Sequence, residues 1–336
     1  MYVSANFNKM KKLLFILFCL PIIGFSQTIV DTLSDNKNVL LEEYHGIQCQ
    51  WCSYGNAVAT SLNSNYNADD FTIMTIHAGY YAIPNGTQPD YRTLFGDTIH
   101  DYAFVSLYPS GSINRHVFPQ YACAFGYTPI IRDDWGYASN EILLEYSPVN
   151  IGSIAHFDSL TNELIVDVEL YYTDSQLVNN NFLNIAILED NIIGPQEDGG
   201  SGTQWTNNNY QHNNMLRYMM TGYWGDTIYS IAQGTLITKQ FSWTVPSDIN
   251  GVPVVPANLK VVVFVNEDKA ETLNVIEVLP IGLPTIPTIV IDEGKLNKSK
   301  LLKVVDLLGR ETKGKQNTPI FYIYDDGTVE KKIIIE

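Results

Sequence analysis

Residues 38–62 read NVLLEEYHGIQCQWCSYGNAVATSL, and the fold turns on them. The run Val39–Tyr44 is apolar and β-prone, apart from two adjacent acids, Glu42 and Glu43. After Gly46 comes Cys49-Gln-Trp-Cys52, and then a stretch whose apolar positions, Ala57, Val58, Leu62 and Tyr66, fall near helical spacing. This predicts a strand, a CxxC pair at a helix start, and the helix. Residues 70–79, DFTIMTIHAG, follow as a second strand, apolar throughout as in a buried parallel sheet.

Three chemistries fit a CxxC in this position. At a helix N-terminus the dipole and free N–H groups favour a thiolate, so the pair can be a redox couple. It can also be a structural staple, although the loop it closes is tiny and gains little from loop entropy. The third is a metal clamp. His45 ends the first strand and His77 the second, and in a parallel sheet those ends are neighbours, so Cys49, Cys52, His45 and His77 form a candidate copper or zinc set. No bound cofactor is expected from the sequence.

Strand, CxxC at a helix start and second parallel strand resemble the thioredoxin arrangement. That resemblance implies a buried acid six residues before the first cysteine, which is Glu43, and a cis-proline before the next strand of the sheet, which is Pro109 in SLYPSGSINRH. It assigns Cys49 as nucleophile, Cys52 as resolving thiol, Glu43 as proton acceptor and Pro109 as a wall of the substrate groove. Cys49 is then expected to be the more exposed sulfur.

Beyond residue 145 the texture changes. VNIGSIAHFDSLTNELIVDVELYYT is a hairpin of alternating strands, and four further strand-like runs separated by turn signals predict an antiparallel β-sandwich of immunoglobulin-like type. Between them lies a long polar stretch, GPQEDGGSGTQWTNNNYQHNNMLRYMMTGYWGD. Its His212, Arg217, Trp205, Tyr210, Tyr218, Tyr223 and Trp224 form either a glycan- or peptide-binding surface or an excursion pinned down by its own aromatics. Cys123 is left over and is expected to be free and partly buried. No Ser/His/Asp triad, phosphate loop or glycosidase pair stands out.

The ends carry addresses. Lys9, Lys11 and Lys12, the short apolar run Leu13–Phe25 and the small residues Gly24 and Ser26 predict a signal peptide over residues 1–26. Its removal leaves the chain more acidic than the −16 of the full sequence, which argues against nucleic acid and anionic lipid as partners. The C-terminal VVDLLGR and FYIYDDGTVEKKIII resemble the sorting domain of Bacteroidota type IX secretion, which implies that machinery as a partner. Pro319 stands where that family often has Gly.

Three segments together, LLEEYHGIQCQWCSYGNAVATSL, YPSGSINRH and YQHNNMLRYMMTGYWGD, resemble the Bacteroidota family related to the twenty-eight-kilodalton outer-membrane protein. The matching positions are Glu42, Glu43, Gly46, Cys49, Trp51, Cys52, Gly55, Pro109, Asn114, Arg115, His212, Arg217, Gly222 and Gly225. His45 replaces the usual Thr and Ser53 the usual Pro. The resemblance implies an exported protein of the outer membrane or cell surface and supplies no activity. The expected organisation is a leader (1–26), a thioredoxin-like α/β domain (27–145), a β-sandwich (146–282), and a linker with a small β sorting domain (283–336). Two functions compete: thiol–disulfide exchange on protein thiols, and binding or adhesion of a surface ligand on a thioredoxin-fold scaffold.

Overall fold

The computed structural model describes residues 28–284 apart from 68, 176–179, 198–204, 207–208 and 230, and, further on, residues 301–305, 310–312, 319–324 and 329–333. The expected leader lies outside the described residues. The chain forms two compact units, Met1–Pro284 and Thr285–Glu336.

The first unit is mixed α/β with a large share of strand. Strand β1 (Val39–His45) is buried at every position, acids included, because it is covered on both faces. Helix α1 (Cys52–Asn65) leads to β2 (Phe71–His77), which lies parallel to β1 with Glu43 opposite Thr75 and His45 opposite His77. The buried stripe of α1 is Cys52, Gly55, Asn56 and Ala59, a stripe of small residues, not the apolar side expected from the spacing. Small side chains let the helix lie close to the sheet. Val58, Leu62 and Tyr66 instead pack from the flank against the core that holds Trp135.

Helix α2 (Leu94–Ala103) starts where the Thr93 hydroxyl accepts a hydrogen bond from the Gly96 amide at 2.9 Å. Strand β3 (Ser110–Ile113) follows the cis Tyr108–Pro109 peptide and runs antiparallel to β1. Strand β4 (Ile130–Ile131) pairs with β3, and helix α3 (Trp135–Ile142) closes this part with Trp135 fully buried.

The long hairpin is present as β5 (Val149–Asp158) and β6 (Glu163–Tyr172), extended by β13 (Leu236–Thr244) into a three-stranded sheet. Its inner residues, among them Val149, Leu164, Val166 and Val168, pack against Leu183, Ile185, Val261 and Val263. Those four come from β7 (Asn181–Glu189) and β16 (Leu259–Glu267), which pair with each other and, through β16, with β17 (Thr272–Val278).

The sandwich is not walled off from the CxxC part. Strand β11 (Met215–Met219) is antiparallel to β7 on one side and meets β2 in parallel on the other, Met215 opposite Thr75. One nine-stranded sheet therefore runs β17-β16-β7-β11-β2-β1-β3-β4, with β12 (Asp226–Ile228) attached to β7. It passes straight through the boundary expected near residue 145. The core behind β1 is likewise shared: Leu40, Tyr44, Met74 and Ile76 pack with Leu188, Leu216, Val262 and Phe264.

The long polar stretch forms a small sheet of β8 (Ile192–Gly194), β9 (Trp205–Thr206) and β10 (Asn209–His212). The second unit contains an antiparallel meander of β18 (Leu301–Val305), β19 (Pro319–Tyr324) and β20 (Val329–Ile333). Asp306–Gly309 of the sorting-signal pattern lie outside the described residues.

Candidate functional site

Cys49 and Cys52 form a disulfide at the first turn of α1. Beneath the helix, Glu43 and Pro109 meet at Gly55, three residues after Cys52. A methyl group on Gly55 would stand 2.7 Å from Pro109 Cβ and 3.1 Å from Glu43 Oε1, so glycine is required for this approach. The structure thus brings Glu43 and Pro109 together beneath the helix that Cys52 opens.

Glu43 is fully buried. Its Oε2 accepts a long contact from the Thr75 hydroxyl at 3.4 Å, and its Oε1 has no hydrogen-bond partner among the described residues. Burial pushes its carboxyl up to about 8, only partly opposed by Thr75. Its neighbour Glu42, on the opposite face, is held by Arg115 through Nε at 3.0 and 2.9 Å and Nη2 at 2.6 Å.

Cys49 is the more accessible of the two, as expected, but both are buried, at 3 % for Cys49 and 0 % for Cys52. The cover comes from the polar stretch. Gln196 donates Nε2 to the carbonyls of Gly46 at 3.1 Å and Cys49 at 2.9 Å, and the Glu197 amide donates to the Ile47 carbonyl at 2.8 Å. From the same stretch Tyr210 accepts a hydrogen bond from Asn56 on α1 at 2.8 Å. Trp51, between the cysteines, stays half exposed.

Next to the covered disulfide lies a group of three buried imidazoles. His45 and His77 are neighbours by register, with ring centroids 4.7 Å apart. His212, at the end of β10, completes the group at 5.1 Å from His77 and 6.1 Å from His45. One ligand atom from each lies within 4.8 Å of the others. Tyr91 and Tyr210 wall the group, with ring centroids 4.9 and 4.8 Å from His212. Burial holds His45 and His212 down to about 3 and His77 well below the usual imidazole range, so all three are neutral. The metal set expected from the sequence is therefore altered. His45 and His77 do meet, but both sulfurs are tied up in the disulfide and a third imidazole stands beside the pair.

Sequence reasoning placed His212 on an aromatic loop and assigned it no imidazole partner. It lies 135 positions beyond His77 on another element, and no local spacing signals the meeting. Gln196 was missed for the same reason. Three aromatics of the loop pack against the protein: Tyr210 is fully buried, Tyr218 stacks on Trp243 at 4.8 Å, and Trp224 packs on Tyr102 at 4.9 Å, whereas Tyr223 stays exposed. Arg217 donates to the Val252 carbonyl at 2.9 Å and lies 3.3 Å from Glu189, which makes it a buried structural cation. Cys123 is a free thiol, pushed up by burial.

The family model for outer membrane protein Omp28 matches residues 97–281, so the match begins after the CxxC segment. Among solved structures the chain is similar to HBP35 of Porphyromonas gingivalis, at 14 % identity over 90 % of this chain and 99 % of that one, with a TM-score of 0.53. Identity that low speaks for the fold alone. A domain of the outer membrane lipoprotein Omp28 from Porphyromonas gingivalis matches 40 % of this chain and 90 % of its own at 18 % identity, with a TM-score of 0.27. No curated protein matches. The family match covers more than half of the chain, agrees with the resemblance carried by the YPSGSINRH and YQHNNMLRYMMTGYWGD segments, and brings with it a place at the outer membrane or cell surface. The chain belongs to the Omp28 family of outer membrane proteins.

Proposed function

We propose that this outer-membrane protein is a binding protein built on a thioredoxin-like scaffold, in which the Cys49–Cys52 disulfide is sealed. The strand order β2-β1-β3-β4 supports the thioredoxin likeness: a parallel strand–helix–strand unit is followed by two antiparallel strands and a helix. The observation that carries the sealed reading is the burial of both sulfurs under residues of another element, with Gln196 bonded to the Cys49 carbonyl. An exchanging thiol must meet a substrate sulfur in line, and a covered one does not. A concave surface suited to a ligand lies elsewhere on the same unit. It is a cleft of about 450 Å³ lined by Phe95, Tyr218 and Trp243 together with Asp97 and the Arg92–Asp90 ion pair, which combines aromatic groups with charges of both signs.

The test is disulfide chemistry on the folded protein. Native protein treated with reduced glutathione should keep its disulfide, and it should show no turnover of a protein disulfide substrate. After forced reduction, alkylation of Cys49 should run at least a hundredfold slower folded than in denaturant. Rapid turnover that is lost in Cys49→Ser would overturn the sealed reading.

That outcome would favour exchange, and one observation already speaks for it: the buried, unpartnered Glu43 carboxyl beneath the pair. In that reading the Cys49 thiolate attacks a substrate disulfide and releases one substrate thiolate. Cys52, deprotonated by Glu43, then displaces the second, leaving the protein oxidised and the substrate reduced.

Delivery by type IX secretion through residues 285–336 belongs to the same proposal. A chain lacking those residues should fail to reach the surface, and mass spectrometry of the native protein should find residues 1–26 removed. Normal delivery without the tail would end that part of the proposal.

A further inference from the structure

Nδ1 and Nε2 of His45 and of His77 are buried and none makes a hydrogen bond of good geometry among the described residues, although the Cys52 backbone lies close to His45. A buried polar atom without a partner is costly, and native proteins keep such atoms for a reason, commonly an ion, a water or a catalytic duty. Here four of them crowd one point, together with a third imidazole.

His212 is already oriented. Its Nε2 lies 3.2 Å from the Pro195 carbonyl, which can only accept, so Nε2 carries the proton and Nδ1 presents its lone pair. An N–H anchored on a backbone carbonyl is the usual support of a metal-bound histidine. The three rings converge, with one ligand atom from each within 4.8 Å of the others, and imidazole nitrogen is a favoured ligand of such metals.

We infer that His45, His77 and His212 form a three-imidazole site for a d-block cation of the zinc and copper class, independent of the cysteine thiols. Tetrahedral coordination at about 2.0–2.1 Å needs nitrogens roughly 3.3 Å apart. The ligand atoms now lie within 4.8 Å of one another, so metal binding requires them to draw together by about 1.5 Å. No carboxylate belongs to the group, so hard, oxygen-seeking Ca²⁺ and Mg²⁺ lack their donors. The Arg217 guanidinium acts on His77 and opposes added positive charge, but Glu189 stands 3.3 Å from it and offsets part of that field. The fourth position is accordingly suited to water or a small anion. The inference goes beyond the sealed-disulfide reading and does not depend on it, because the ligands are nitrogens and the disulfide stays closed.

The test uses the full chain, without a histidine tag, expressed in medium supplemented with Zn²⁺ or Cu²⁺ and purified with its disulfide intact. Elemental analysis after gel filtration should find about one equivalent of metal. His45→Gln, His77→Gln and His212→Gln should each retain less than a tenth of that, whereas His116→Gln, away from the group, should match the unsubstituted protein. The thermal midpoint of the unsubstituted protein should rise with Zn²⁺ and stay unmoved by Mg²⁺, a readout that survives if a variant fails to fold. Co²⁺-loaded protein should show d–d bands with no sulfur-to-metal charge transfer. Less than a tenth of an equivalent in the unsubstituted protein, full retention by folded His212→Gln, or binding that appears only after reduction would each overturn the assignment.

Discussion

Glu42 and Glu43 are sequence neighbours on β1, and they face opposite sides of one sheet. On the Glu42 side the charge is matched: the Arg115 guanidinium grips both carboxylate oxygens and lies over Phe264, its centre 5.7 Å from the ring centroid. On the Glu43 side the polar groups are buried and unmatched. Glu43 Oε1 and all four ring nitrogens of His45 and His77 make no hydrogen bond of good geometry among the described residues. Burial is the same on both sides, and only the pairing differs. Stability alone selects the first arrangement, since an unmatched buried polar atom costs free energy. The second is the arrangement that stability alone does not account for, and it is where the proposed metal site lies.

The largest effect expected from this comparison is on the paired side. Arg115→Ala orphans a buried carboxylate and should destabilise the protein by about 3–5 kcal/mol in urea denaturation. A loss below about 1 kcal/mol would mean that the pair is not what holds this face.

A second paired cluster sharpens the point. Glu271 accepts from Lys37 at 2.6 Å and lies 3.1 Å from His116 Nδ1. Burial would raise its carboxyl, but the His116 and Lys37 hydrogen bonds outweigh burial and hold it at about 2. A depressed carboxyl contributes stability above its unfolded value of about 4.3 and loses it as pH falls towards the folded value. Glu271→Gln should therefore cost about 1.5–3 kcal/mol at pH 7. The difference from the unsubstituted protein should shrink between pH 4.5 and 2. A cost that does not vary with pH would show that the charge plays no part.

Gln196→Ala probes the cover over the disulfide. Losing its bonds to the Gly46 and Cys49 carbonyls should cost about 1–2 kcal/mol and raise alkylation of the reduced Cys49 by tenfold or more. An unchanged alkylation rate would place the barrier elsewhere.

The smallest effect belongs to Glu43. It has no cation to orphan, and glutamine keeps its shape, so Glu43→Gln should shift stability by less than about 1 kcal/mol. A loss comparable to that of Arg115→Ala would erase the contrast between the two faces.

Much of this was legible locally. The strand before the cysteines, the helix they open, the second buried strand and the hairpin at 149–172 all follow from short-range patterns. Glu43 and Pro109 were legible only through a resemblance to a known layout. The rest depends on which distant elements meet. That α1 buries small residues follows from its close approach to the sheet at Gly55, and a helical periodicity tuned to large apolar side chains passes over it. The cover from Gln196, the third imidazole of the histidine group and the joining of the sheet at Met215 and Thr75 all link residues more than a hundred positions apart. Hydrophobic periodicity fixes which face of a strand is buried and says nothing about which strand lies beside it.

The joint at β11 bears on how the protein can be cut. A fragment ending near residue 145 would keep β1 and β2 but lose Leu188, Leu216, Val262 and Phe264, the residues that cover Leu40, Tyr44, Met74 and Ile76. It would also leave the amide of Thr75 without the Asn214 carbonyl it now reaches at 2.8 Å. Such a piece presents an apolar face beside an open strand edge, the combination that drives edge-to-edge aggregation. The CxxC part is thus no detachable cassette: in recombinant work it has to travel with the strands that follow it.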